Sequence, residues 1–533
     1  MSEKEYIVTL NNRDDLDQFY SEMESNISTE HIPEKNFTVE NRREISRNTH
    51  YAMTDAEADQ IRNDPRVLAV EETPENRGFK VEPCFTWDST QHFPRATGNN
   101  DDVQWGILRC YTGFSSSAEY VGSATTLSTI NTGHEEGENV DVVIVDGFID
   151  PNHPEYAVNR DGTGGTRVIQ YAWKGGYSYS GGSSDDNDHG MHVAGTACGN
   201  RQGWAVKSNI YNINPYDGQY GSSTLFDAVR TFHNAKTNGY PTVVNNSWTY
   251  IRSDSLPINQ VYYRGTLYED VNRNDARDYG IYCPNTTHWK ISTQYTAMDA
   301  DINDAIADGI IMVGAGANFN MKITASGDTS DQDYDNYLKD GWGFQSPYYY
   351  ARGGSPCHSN GAICVASGGY AYLGGQYRPD TKSSFSNKGP RMDVFAPGQH
   401  ILSSVKNQSW GTVDNRNSSY KIANFSGTSM ASPQVAGILA CVVGVYRDFT
   451  QADCLDYLIS TSTRDQVYDS GSSNQDDFYN LMGAPNRYLH FRKERKWGGH
   501  VWPDMDRRLR NPRSTSSRVA FPRMKRNYNN GNS

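Results

Sequence analysis

An aspartate, a histidine and a serine, each at the edge of an apolar run and in that chain order, could together perform acyl transfer. Asp146 ends the buried-looking run in VVIVDGFID, where an unpaired carboxylate would cost several kcal/mol. His189 follows the acidic stretch DDND and opens HGMHVAGTACG, whose small residues Ala194, Gly195 and Ala197 permit close packing. Ser429 stands in NFSGTSMASPQVAGILACVVGVY (424–446), at the first turn of a helix whose free N–H groups and dipole favour developing negative charge. Gly427 allows a tight turn there, and Pro433 is tolerated close to a helix start. Taken singly, each has a plainer reading: a strand-end cap, a structural histidine and an N-cap serine. His189 and His192, spaced i, i+3, could suggest a metal pair, but no Glu stands where a zinc hydrolase needs its base and no third ligand follows. Taken together, the order Asp, His, Ser is one of those in which a hydroxyl, its base and the carboxylate that orients the base occur.

The flanking residues sharpen this reading. VIVDGFID, HGMHVAGT and SGTSMASPQVAG resemble the three signature segments of the subtilisin-like serine proteases, the subtilases. SSFSNKGP and FAPGQHILS are similar to segments upstream of that family's nucleophile, and the likeness extends in blocks over about residues 103–490. The resemblance implies Ser429 as nucleophile, His189 as general base and then acid, and Asp146 as the carboxylate that stabilises the imidazolium. His192 then becomes structural. Asn318, in GIIMVGAGANFN, matches the oxyanion asparagine, with Gly316-Ala317-Asn318 where the family has Ala-Gly-Asn. An extended substrate would pair with backbone strands. Ser247, Trp248 and Thr249 of NNSWTY match one strand, and the region of YDGQYGSS around Gly218 matches the other. Trp248 and Thr249 replace the small and apolar residues usual there, and Trp248 alone reads equally as core.

Elements able to position these residues are legible in the pattern. Short apolar runs (VDVVIVD, TVVNNSW, GIIMVGAG, GAICVASG) alternate with helical stretches (STLFDAVRTFHNAK, TAMDADINDAIADG). That alternation implies a mostly parallel central sheet covered on both faces, a three-layer α/β fold, with chemistry at the carboxyl ends of its strands. Ahead of it, EYIVTL, TDAEADQIRND and RVLAVEE read as strand, helix with a Thr54–Glu57 capping box, and strand. Residues 1–72 are thus expected as a small α+β domain, resembling the inhibitor-type propeptide of many subtilases. Residues 73–102 read as a linker holding the processing bond, 103–490 as the catalytic domain and 491–533 as a basic tail.

Charge and composition bound the rest. The net charge is −14, yet the stretch from Arg487 onward carries 13 Lys/Arg against 3 Asp/Glu. An acidic body with a basic tail is expected to be soluble, with no membrane partner; the tail reads as a solvated, flexible extension or an assembly peptide rather than a nucleic-acid binder. No apolar leader opens the sequence, so an intracellular or virion-associated protein is expected. The eight cysteines form no C-x-x-C pair, and Cys357 and Cys364 are expected unbridged. The long insert between Ser247 and Asn318 contains EDVNRNDARDYG, where Asp270, Asn272 and Asn274 have calcium-like spacing. Asp275 and Ile281 replace the turn glycine and the bidentate Glu of such a loop. No cofactor is expected to be required; calcium is compatible as a structural ion without named ligands. Two functions follow: a serine endopeptidase acting on polypeptides and restrained by its own propeptide, or a catalytically silent subtilase scaffold, structural or binding, in a larger particle or a viral structure.

Overall fold

The computed structural model describes residues 2–87, 104–113, 136–170, 188–215, 222–339, 347–406, 408–491, 495–497 and 500–502. Residues 1–491 form one compact unit, and 492–533 a second, in which Arg495–Trp497 pairs antiparallel with His500–Trp502.

The main sheet runs in the order Val168–Gln170, Asn209–Ile213, Asp141–Val145, Thr242–Asn246, Ile311–Ala315, Ile363–Leu373, Val394–Pro397, Arg487–Tyr488, Thr463–Arg464. Every neighbouring pair up to Arg487–Tyr488 is parallel. Strand alternation splits one apolar run between two cores: Val143 and Val145 face one side of the sheet, Val142 and Ile144 the other. The first side is covered by helices Leu225–Ala235 and Thr296–Ala307, and the second by His189–Cys198 and Thr428–Val445. This is the three-layer arrangement expected from the alternating pattern.

Helix Thr428–Val445 is long and apolar enough to cross a membrane by length and composition, yet 94% of that window is buried within the unit. It is a core helix. Pro433 lies inside it and removes the N–H that would bond the carbonyl of Ser429. The Ser247 hydroxyl donates to that orphaned carbonyl at 3.0 Å instead, which ties the serine's turn to the end of the neighbouring strand.

The amino-terminal residues form an antiparallel sheet in the order Thr38–Arg42, Asn48–Met53, Lys4–Leu10, Val67–Glu72. Its own core includes Tyr6, Phe19, Tyr51 and Ile61, and the Thr54–Glu57 capping box is present. This sheet packs on the two helices of the first face. Buried Arg43 donates twice to Asp227 at 2.7 Å and also reaches Asp301. Asn48 donates to the Ala297 carbonyl at 2.9 Å. A buried guanidinium needs such paired carboxylates, because either partner alone would be left charged in a poorly hydrated site.

Residues 73–87, read as linker, contribute strands Lys80–Pro83 and Thr86–Trp87; residues 88–102 lie outside the described residues. The Asp270–Asn274 stretch makes a helix start: the Asn272 side chain accepts from the N–H groups of Asn274 and Asp275 and caps Arg273–Asp278. All eight cysteines are free and buried.

Candidate active site

The carboxyl ends of three adjacent strands gather the residues of interest. Asn246 is in register with Val145 on one side and Gly314 on the other, so Asp146, Ser247 and the Gly316–Asn318 turn leave the sheet at one level.

Asp146 is fully buried. Its Oδ1 accepts from its neighbour's N–H, on Gly147, at 2.7 Å and from His189 Nδ1 at 2.7 Å. A carboxylate can only accept, so the imidazole carries its proton on Nδ1, leaving Nε2 as the basic nitrogen. Asn212 braces the turn from below, donating to the carbonyls of Asp146 and Gly147 at 3.1 Å each. The histidine helix comes this close because residue 190 is glycine: a Cβ there would lie 2.2 Å from the Gly147 carbonyl oxygen. His192, one turn along, bonds the carbonyls of Ile401 and Ala423 at 2.9 and 3.1 Å and stacks on Phe425 at 4.3 Å. Burial pushes its pKa down to about 3, so it is a neutral structural donor.

Ser429 is buried in the first turn of its helix. Its hydroxyl donates to the Ser247 carbonyl at 2.7 Å, and its N–H donates to the carbonyl of Cys84 at 2.9 Å. Asn318 faces the same turn. Its Oδ1 accepts from the Thr428 N–H at 3.0 Å and hydroxyl at 2.9 Å. Those two bonds fix the amide, and its buried Nδ2 has no partner among the described residues. The preceding Ala317 has φ +67°, a left-handed conformation that costs an L-residue roughly 1–2 kcal/mol and is consistent with strain held at a functional turn.

A segment of the chain itself threads this site. Lys80–Pro83 pairs antiparallel with the strand that starts at Trp248, with Glu82 opposite Thr249 and Pro83 opposite Trp248. The Cys84 N–H then donates to the Ser247 carbonyl at 3.0 Å. Beyond it, Thr86–Trp87 pairs with Phe425 and Ser426. Phe85 lies over His189 with ring centroids 4.6 Å apart and stacks on Phe425 at 5.5 Å. Gly427 is what lets the segment pass, because a Cβ there would meet the Cys84 oxygen at 2.3 Å and Phe85 Cα at 2.6 Å.

The Cys84 side chain sits against Cys357, whose own thiol donates to the Trp248 carbonyl at 2.9 Å. Burial first, then the Cys84 contact, holds the Cys357 thiol well above its ordinary range, so it is an inert wall rather than a nucleophile.

The signature-like blocks and this geometry converge on one family, the subtilase family, whose sequence pattern matches residues 137–482. The chain belongs to the subtilase family. It is a subtilase-family serine protease, and its relatives are distant. It is 23% identical over 445 residues to alkaline protease 1 of Emericella nidulans, covering 81% of this chain and 80% of that one. It is 25% identical over 327 residues to subtilisin of Bacillus pumilus, covering 61% and 85%. Among solved structures, a cold-adapted subtilisin-like serine proteinase aligns at 21% identity and TM-score 0.43, covering 73% of this chain and 97% of that one.

In this subtilase the structure brings together Asp146, His189, Ser429, Asn318, Ser247 and the backbone of residues 248–249. Trp248 contributes only backbone to the cleft: its indole is fully buried, edge-on to Tyr250 at 5.7 Å. Alternation along the strand turns residues 248 and 250 to the same side. Gly218 lies outside the described residues. Cys84, Phe85 and Thr428 escaped the sequence reading. Of these, Thr428 had a signal, its place directly before the serine in the GTS motif.

Proposed function

We propose that this chain is a serine endopeptidase using Asp146, His189 and Ser429, with Asn318 and the Ser429 N–H as the oxyanion hole, and that its first substrate is its own Cys84–Phe85 bond. The observation that carries this reading is the Cys84 carbonyl oxygen 2.9 Å from the Ser429 N–H, at the end of a strand paired in register with Trp248–Ile251. A peptide held this way presents its carbonyl carbon to the serine.

Rotation about the Ser429 Cα–Cβ bond takes its hydroxyl off the Ser247 carbonyl and toward His189. Oγ then attacks the Cys84 carbonyl carbon while Nε2 takes the hydroxyl proton, and the carbonyl π pair moves onto oxygen. The resulting charge is met by the Ser429 N–H and Asn318 Nδ2. Collapse breaks the bond to the Phe85 nitrogen, which receives the proton from His189; water then releases Cys84 from Oγ by the same steps. Asp146 keeps the imidazole oriented and stabilises its charged form throughout. The strand pairing of residues 80–83 and the packing of residues 1–72 survive the cut, so the released segment acts as an inhibitor until it leaves.

The wild-type protein is expected to yield two fragments on purification, one with its amino terminus at Phe85 by Edman sequencing and one whose mass ends at Cys84. An intact bond between residues 84 and 85 after prolonged incubation at neutral pH would count against the proposal.

A further inference from the structure

The cleft segment carries one charged contact that the reaction chemistry does not require. Glu82, two residues before Cys84, receives two hydrogen bonds from Lys290 Nζ, both at 2.7 Å. Lys290 lies on strand His288–Ser292, which pairs with the far edge of the strand Trp248–Ser255. Its side chain therefore reaches across the substrate-pairing strand to the side chain of the bound segment. Both groups are mostly covered, with 22% and 30% of their side-chain surfaces exposed. Glu82 is the one carboxylate that Lys290 pairs with among the described residues. Its ammonium also lies 5.9 Å from the centroid of the Phe319 ring. Once the segment departs, a partly desolvated ammonium faces the third position before the scissile bond with its anion gone.

We infer that Lys290 makes this protease selective for substrates with an acidic side chain, Glu or Asp, at the third residue before the cut. This rests on the endopeptidase reading above. The determinant belongs to the insert between Ser247 and Asn318, so the insert shapes the substrate class rather than merely enlarging the surface. A partly buried lysine strengthens its attraction for a carboxylate and repels a cation at the same position. The two effects add when Glu and Lys substrates are compared.

The test uses octapeptides Lys-Val-X-Pro-Cys-Phe-Thr-Trp under reducing conditions, with X as Glu, Gln or Lys, and the processed full-length protein as enzyme. Wild type is expected to prefer X = Glu over X = Lys by about tenfold in kcat/KM, from exposed-pair attraction and repulsion of up to about fivefold each. The preference should shrink as salt rises. Lys290→Glu is expected to invert the ratio. Because the ratio is taken within each variant, a change in overall activity cancels. A second measurement covers the case in which that variant fails to mature. Glu82→Lys should slow cleavage of the 84–85 bond in the full chain, and adding Lys290→Glu should restore it. An unchanged ratio in Lys290→Glu, or wild-type processing of Glu82→Lys, overturns the inference. If wild type cleaves none of the peptides and takes no covalent serine probe, the endopeptidase reading itself fails and this inference falls with it.

Discussion

Ser429→Ala is expected to leave the chain uncut at Cys84–Phe85, with the rate of that cleavage down by about 10⁶, the size of loss measured on subtilisin, a member of this family. The substitution removes one oxygen. The strand pairing, the Cys84 carbonyl contact and the Asp146–His189 hydrogen bond involve other atoms of the site. The variant should therefore fold and hold its own segment in the cleft as an intact chain. His189→Ala is expected to cost about as much, and the double variant no more than either, because hydroxyl and base act as one unit. Rates of fragment formation in the three variants, followed by gel and intact mass, check this. Additive losses would mean that the two residues act independently.

Asn318→Ala should lower the rate by about 10²–10³ (about 2.7–4 kcal/mol), again the loss measured for this donor in subtilisin. Here the amide oxygen is held by both the N–H and the hydroxyl of Thr428, which in the proposed oxyanion hole leaves Nδ2 to meet charge developing on the carbonyl oxygen. A donor that acts on the transition state lowers kcat and kcat/KM together and leaves KM nearly unchanged. Steady-state kinetics on the X = Glu peptide read this split. A rise in KM at constant kcat would instead make Asn318 a ground-state contact.

The parts legible in the sequence were those fixed by local pattern. The runs ending at Asp146, Ser247 and near Asn318 read as buried parallel strands because their neighbours are apolar and continuous, and they are strands Asp141–Val145, Thr242–Asn246 and Ile311–Ala315. The Thr54–Glu57 cap was equally local. The Cys84 segment was not legible, because VEPCF contains a proline and gains its extended form from pairing with Trp248–Ile251, more than a hundred and fifty residues away. Trp248 could be read two ways, and only the face of its strand decides that the indole joins the core. Asn272 has the residue type of both a calcium ligand and a helix cap; the following helical turn makes it a cap. Lys290 carried no signal, since its role depends on a strand pairing across the sheet.

The most direct measurement is covalent labelling of the processed protein with a fluorophosphonate, followed by peptide mass mapping. A single adduct on Ser429, absent from Ser429→Ala, is the result expected of a hydroxyl activated by His189. No adduct in processed wild-type protein, or an equal adduct in both proteins, would contradict the assignment of Ser429 as the nucleophile.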